Sequence, residues 1–216
     1  MLLIMEVNGL VFAIAAFATV TNFSGDFSIK VTCPTNSSDV SLHVNYPFSL
    51  AHEQQSVSVC GAPKMAKFHV NVASDARFFV ATGVLSMLWA MAALFIYLFM
   101  DDLYQNDKKT PLADFVGTLI LATFWLAGSS AWANGLSMLK HGTSPDNYAK
   151  AFCHTNGYDE HTKCSGLTSV QYAPLTISVI LGFLNFVLWG GNLWFLYKET
   201  PWFKNQEQAN PDTAVA

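Results

Sequence analysis

A helical membrane protein of four spans, carrying a small sheet outside the bilayer, is predicted on three observations. Four long apolar stretches divide the 216 residues, 52% of which are hydrophobic. The mean hydropathy is positive. The four cysteines fall two by two into the first and third segments between the stretches. A soluble bundle of this size can bury one or two such helices, but four are hard to pack in water. The expected fold class is therefore an all-α membrane protein: a four-transmembrane-helix bundle with a small disulfide-stapled lumenal β-sheet in the first loop.

The stretches run approximately Leu3–Thr21, Phe78–Met100, Leu112–Leu139 and Pro174–Tyr197. About 20 mainly apolar residues cross the hydrocarbon layer, and the last three stretches hold no Lys or Arg. The first carries Glu6 and Asn8, both near its N-terminal end, where a polar group reaches the interface at little cost. Ala16-Phe17-Ala18 also fits the small-x-small site of a cleavable signal peptide. No Lys or Arg precedes the apolar run, so it is read as a retained span.

Basic residues do not orient the chain. Lys108, Lys109, Lys198 and Lys204 are offset by Lys30, Lys64, Lys67 and Arg77 in the first loop and Lys140, Lys150 and Lys163 in the third. The cysteines decide instead. Cys33 and Cys60 lie in loop 22–77 and Cys153 and Cys164 in loop 140–173, and four crossings put both loops on one side. Disulfides persist in oxidising compartments, and the acceptor pattern Asn-x-Ser occurs in the first loop at Asn22 and Asn36. Asn22 lies too near the bilayer, so Asn36 is the expected glycosylation site. Both termini and the 101–111 connection then face the cytosol.

Four cysteines allow three pairings. Cys33–Cys60 and Cys153–Cys164 are favoured because each closes within one loop. The rival is a zinc site drawn from Cys153, His154, His161 and Cys164, which has no familiar ligand spacing. No metal and no cofactor is expected.

The first loop alternates like sheet: Phe27, Ile29, Val31 and Cys33, then Val40, Leu42, Val44 and Tyr46, later Phe68, Val70 and Val72. All six histidines (His43, His52, His69, His141, His154 and His161) fall in the two lumenal loops. Acidification would add positive charge to that face; the plainer reading is polar loop residues that the helices exclude.

Channels and transporters carry ionisable residues or broken helices in their spans. Here the deep polar residues are mostly Asn and Ser: Ser129, Ser130 and Asn134 in the third span, Asn185 and Asn192 in the fourth. Asn185 and Asn192, seven apart, share a helical stripe. Ala127, Ala131 and Gly135 form a small-xxx-small ladder that admits close backbone approach. These five are expected to pack helices or receive a partner. Trp189, Trp194, Tyr197 and Trp202 suit the bilayer interface, and Leu98, Tyr104 and Lys108 satisfy a permissive cholesterol-contact spacing. No phosphate-binding glycine loop, Cys-x-x-Cys, paired carboxylates or Ser/His/Asp set is legible, so no enzyme is expected. A net charge of −4 without a basic cluster argues against nucleic acid.

Longer strings carry a resemblance. Val11 to Thr19 resembles the first span of the synaptophysin family, four-pass vesicle proteins with a MARVEL-type membrane domain, and Tyr46-Pro47-Phe48 is similar to its first loop. More specific are the run Trp125 to Leu136, the strings Gly182 to Phe186 and Gly191 to Phe195, and Lys198-Glu199-Thr200. The similarity runs from about residue 7 to 203.

The resemblance implies a four-span domain over 1–203 with a cytosolic tail at 204–216. It also implies a synaptic or small transport vesicle membrane, cysteines paired within each loop, and a glycan at Asn36. The implied partners are synaptobrevin, cholesterol and other copies or family members. Two departures matter. The family has a cytosolic segment before its first span, whereas this chain starts almost within it, and the tail lacks the Tyr/Gly-rich repeat of the best-known member. Functions of that repeat are not carried over. The expected function is a non-enzymatic vesicle protein that binds synaptobrevin and regulates trafficking, exocytosis and retrieval. An oligomeric vesicle channel lined by the Asn stripe is the alternative. A claudin-like adhesion protein is disfavoured, because the first loop has no Trp-based signature.

Overall fold

Long apolar runs without charge become helices in a bilayer, because a helix satisfies its backbone polar groups within itself. The computed structural model describes residues 2–34, 36–52, 54–68, 70–99, 109–158 and 162–199. The end of the second predicted span at Met100, most of the 101–111 connection and the 204–216 tail lie outside the described residues. Five α-helices are described: α1 (Leu2–Thr21), α2 (Ala73–Phe99), α3 (Lys109–Gly142), α4 (Pro145–Thr155) and α5 (Ala173–Glu199). Among the described residues, Ala73–Ile96, Leu112–Gly142 and Ala173–Lys198 are long and apolar enough to cross a membrane, and α1 adds a shorter apolar run, Val7–Thr21.

Helices α2 and α3 outrun their apolar parts for local reasons. Asn71 Oδ1 accepts the Ala73 N–H at 3.2 Å, satisfying a donor left over at the start of α2. Lys140 and His141 occupy the last turn of α3, where cations suit the helix dipole. Its last turn is closed by Thr143, whose N–H and Oγ1 both donate to the Leu139 carbonyl.

The chain forms two compact units, 1–18 with 79–130 and 178–216, and 19–78 with 131–177. The first is a helix bundle. Gly83 of α2 faces Phe17 of α1, Gly9 of α1 faces Trp189 of α5, Gly117 of α3 faces Trp89 of α2, and Gly182 of α5 faces Ser129 of α3 and Phe79 of α2. Those contacts close a ring of four helices. Burial along each helix alternates at three and four residues, the spacing of a helical seam. On α5 the buried row is Leu175, Ser178, Gly182, Asn185, Trp189, Asn192 and Leu196. The exposed faces carry the bulky apolar residues instead, such as Leu85, Leu88 and Phe95 on α2 and Ile180, Phe183 and Val187 on α5. A lipid solvent explains the apolar outside: tails are as apolar as Leu, so polar side chains gather inside, where helices approach and bond, alongside buried rings such as Phe79 and Trp125.

The second unit holds the sheets. Strands β1 (Ser24–Thr32), β2 (Ser37–Asn45), β3 (Gln54–Val59), β4 (Ala62–Lys67) and β5 (Lys163–Thr168) form a three-stranded sheet of order β2-β1-β5 and a separate β3-β4 hairpin. All pairings are antiparallel. Phe27 pairs with Leu42 and Ile29 with Val40, and the inward residues of both strands are buried, as the alternation predicts.

Two expectations about this region are corrected, and two elements are added to it. The main sheet is not confined to the first loop, because β5 comes from the third. Phe68, Val70 and Val72 are not a strand; Phe68 instead packs its ring against Phe27 and Tyr148. The β3-β4 hairpin went unpredicted because its strands are polar. Its turn holds Cys60 at φ 56° and Gly61 at φ 75°, two successive positive φ values that match the twist of hairpin strands. Helix α4 also lay hidden in the third loop. It buries Tyr148, Ala149 and Phe152, with Tyr148 edge-on to Phe27 at 5.3 Å. Asp146 Oδ1 accepts the Gly166 N–H at 3.1 Å, which blunts the free edge of β5.

Candidate functional site

The disulfides organise the sheet unit. Cys33–Cys60 and Cys153–Cys164 are both formed, with Cα–Cα distances of 6.0 and 6.3 Å, inside the range a disulfide bridges. The first ties the end of β1 to the β3-β4 turn, and the second ties α4 to β5. Bonded to each other, Cys153 and Cys164 are not zinc ligands, and no metal-binding group of His, Cys, Asp or Glu occurs among the described residues. Each disulfide closes within one loop, and it is the pairing of β1 with β5 that joins the first and third loops, so both lie on the same side. Asn36 is exposed beside Cys33. Its carbonyl accepts the Cys33 N–H at 2.7 Å and its Oδ1 the Ser37 N–H at 2.8 Å.

Sequence reasoning missed one polar constellation. Cross-strand register sets His43 opposite Asp26, with His43 Nδ1 2.6 Å from Asp26 Oδ1 and His43 Nε2 3.4 Å from Ser24 Oγ. The order is that of a hydrolase triad, but the setting is not. Asp26 and His43 are 71% and 44% exposed, whereas a working triad buries its Asp and surrounds the serine with oxyanion donors. We read it as a cross-strand polar pair contributing roughly 0–1 kcal/mol in solvent. His141 and His154 are likewise exposed; His69 and His161 lie outside the described residues, as do Tyr104 and Lys108 of the cholesterol-contact spacing and Trp202.

In the helices, Asn185 and Asn192 both face inward, at 0% and 3% exposure. Asn185 Nδ2 donates to the Leu181 carbonyl at 2.9 Å. The stripe is thus occupied within the chain. The Ala127, Ala131 and Gly135 ladder does not share one face: Ala127 is exposed, Ala131 half-buried and Gly135 buried. Residues four apart rotate about 40° per step around a helix, which carries the ladder from lipid into protein. A Cβ on Gly135 would lie 2.9 Å from Asp75 Oδ2.

The bundle also buries Thr82, Ser86, Asp114, Thr118 and Ser178, which the sequence reading passed over. Their spacing of 3, 7 or 11 residues from Phe79, Trp125 and Asn185, which keeps each on one helical face, was the available signal. Ser86 Oγ, Thr118 Oγ1, Ser129 Oγ, Asn185 Oδ1 and Trp125 Nε1 have no hydrogen-bond partner among the described residues. Each such group costs about 1–3 kcal/mol.

A helix bundle with lipid-matched faces, and loops drawn into a sheet by two disulfides, define a multi-pass membrane protein. The chain matches the family model of MARVEL, the membrane-associating domain, over residues 1–195. It belongs to that family.

Proposed function

We propose that this MARVEL protein is a non-enzymatic synaptic or transport vesicle protein of the synaptophysin type that holds partner helices beside it in the bilayer. Synaptobrevin is the partner helix, and cholesterol and further copies or relatives of the chain are its companions. Through them it regulates vesicle trafficking, exocytosis and retrieval. The outward face of α3 carries this reading. Thr123, Ala127, Ser130 and Asn134 are exposed there, as a small and polar strip beside the exposed Leu119, Leu126 and Met138. Small residues let another backbone approach, and an amide facing lipid gains by bonding across to a neighbour. The run Trp125 to Leu136, among the strongest of the family-like strings, lies on the same helix.

In this reading the disulfide-bearing loops are lumenal, Asn36 carries a glycan, and both termini and the 204–216 tail are cytosolic. The test is co-purification with synaptobrevin from mild detergent, comparing the intact chain with Ala127→Leu and Ala131→Leu. Both substitutions should weaken capture several-fold, and unchanged capture would count against this face. Glycosidase treatment of the same samples should increase gel mobility, and an Asn36→Gln chain should not respond. An oligomeric channel finds less support, because Asn185 and Asn192 are buried in the chain's own bundle and do not line a path between chains.

A further inference from the structure

Two contacts set α5 antiparallel to α3: Gly182 faces Ser129, and Tyr197 lies beside Phe115 at 6.3 Å between ring centroids. Two more set α2 antiparallel to α3: Phe79 meets Trp125 edge-on at 5.6 Å, and Trp89 faces Gly117. Counting along the helices from these anchors brings Ser86, Thr118 and Asn192 to one level, and Asn185 to the level of Trp125. Asp114 precedes Thr118 by one turn. A polar row therefore runs inside the bundle from Asp114 to Ser129. Ser86, Thr118, Ser129 and Asn185 are 0% exposed, and each has an oxygen with no partner among the described residues.

We propose that this row binds ordered water within the bundle interior, which is closed at the Ser129 end. The chemistry favours water over an apolar lipid tail or an ion. Hydroxyls that donate and accept alternate with an amide oxygen that only accepts, and a water molecule serves both, typically through about three hydrogen bonds. Closure follows from the packing at Gly182, where even a methyl group would strike Ser129 and the Phe79 ring. Trp125 also packs against that ring. Water on this row would stop there.

The test uses the full chain in lipid bilayers and water itself as the probe. Polarisation transferred from water to protein is followed by solid-state NMR at the Thr118 and Ser86 hydroxyl positions, the Asn185 amide and Ser129. The expected result is direct transfer to Thr118, Ser86 and Asn185, weakening toward Ser129. Contact with lipid chains alone, or a gradient running the other way, would overturn the proposal. Thermal melts give an independent reading. Water held by several groups is lost from all of them when one is removed, so Asn185→Leu and the milder Ser86→Ala should both lower the midpoint. In a dry interior, deleting an unpartnered polar group raises the midpoint or leaves it unchanged, and either of these results for both variants refutes hydration.

Discussion

Gly182→Ala tests the helix packing at its tightest point. An added Cβ would overlap Ser129 Oγ and come 2.6 Å from Phe79 Cε2 and 3.1 Å from Phe79 Cζ. Ser129 can turn its hydroxyl aside, but the Phe79 ring has little freedom to retreat, because it is fully buried and already packed against Trp125 with ring planes 83° apart. Forcing a methyl group into a filled core costs about 1–3 kcal/mol. For a chain of this length, where each kcal/mol moves the midpoint about 2–4 °C, the melt should fall by roughly 2–12 °C. Tryptophan fluorescence melts in lipid nanodiscs would measure it. Ser129→Ala in the Gly182→Ala background should recover part of the loss, since it removes one of the two obstacles. The two substitutions should then be non-additive, as contacting residues are. A Gly182→Ala chain that melts like the parent, or a double variant whose loss equals the sum of the singles, would refute this account of the bundle.

Two further predictions concern the sheet unit. Sequence separations of 27 and 11 between the paired cysteines translate into about 3.5 and 2.8 kcal/mol of chain-entropy stabilisation. Cys33→Ser/Cys60→Ser should therefore destabilise more than Cys153→Ser/Cys164→Ser in denaturant titrations, and a reversed order would contradict the model. The second concerns Tyr148, which is 5% exposed, has no hydrogen-bond partner for its hydroxyl among the described residues and has its pKa raised by burial. The unfolded chain releases that proton near pH 10, while the folded chain retains it. The contribution is therefore complete below about pH 10 and is lost above it as the pH climbs toward the folded value. Melts compared at about pH 9 and 11 should show a steep alkaline loss that Tyr148→Phe reduces; an equal loss in both chains would exclude Tyr148 as its source. Tyr172, also raised by burial but partly offset by its hydrogen bond to Thr143, would account for part of what remains.

Much of this protein was legible residue by residue. The spans follow from apolar length, because a bilayer demands it of any helix that crosses. Strands β1 and β2 follow from alternation, because one face of each is buried and the other wet. The cysteine pairs follow from their segregation into two loops. Strand β5 carried no such mark: with Gly166 mid-strand and a half-exposed pattern, it is a strand because β1 offers it an edge. Helix α4 buries only three of its eleven residues, too short a signal to stand out within a polar loop. The Asp26–His43 pair, seventeen residues apart, exists only through the register of β1 on β2.

The direction each membrane helix faces was the least legible property, and the candidate sites depend on it. In water, burial separates apolar from polar and periodicity reveals the inner face. In a bilayer both faces are apolar enough, so Asn185, Asn192 and the alanine ladder read from the sequence as equivalent surfaces. Sequence alone therefore determined which segments enter the membrane and which cysteines share a side. Only the tertiary structure decided that the asparagines turn inward, that Ala127 turns out and that Gly135 is occupied, because that choice is made by the neighbouring helices.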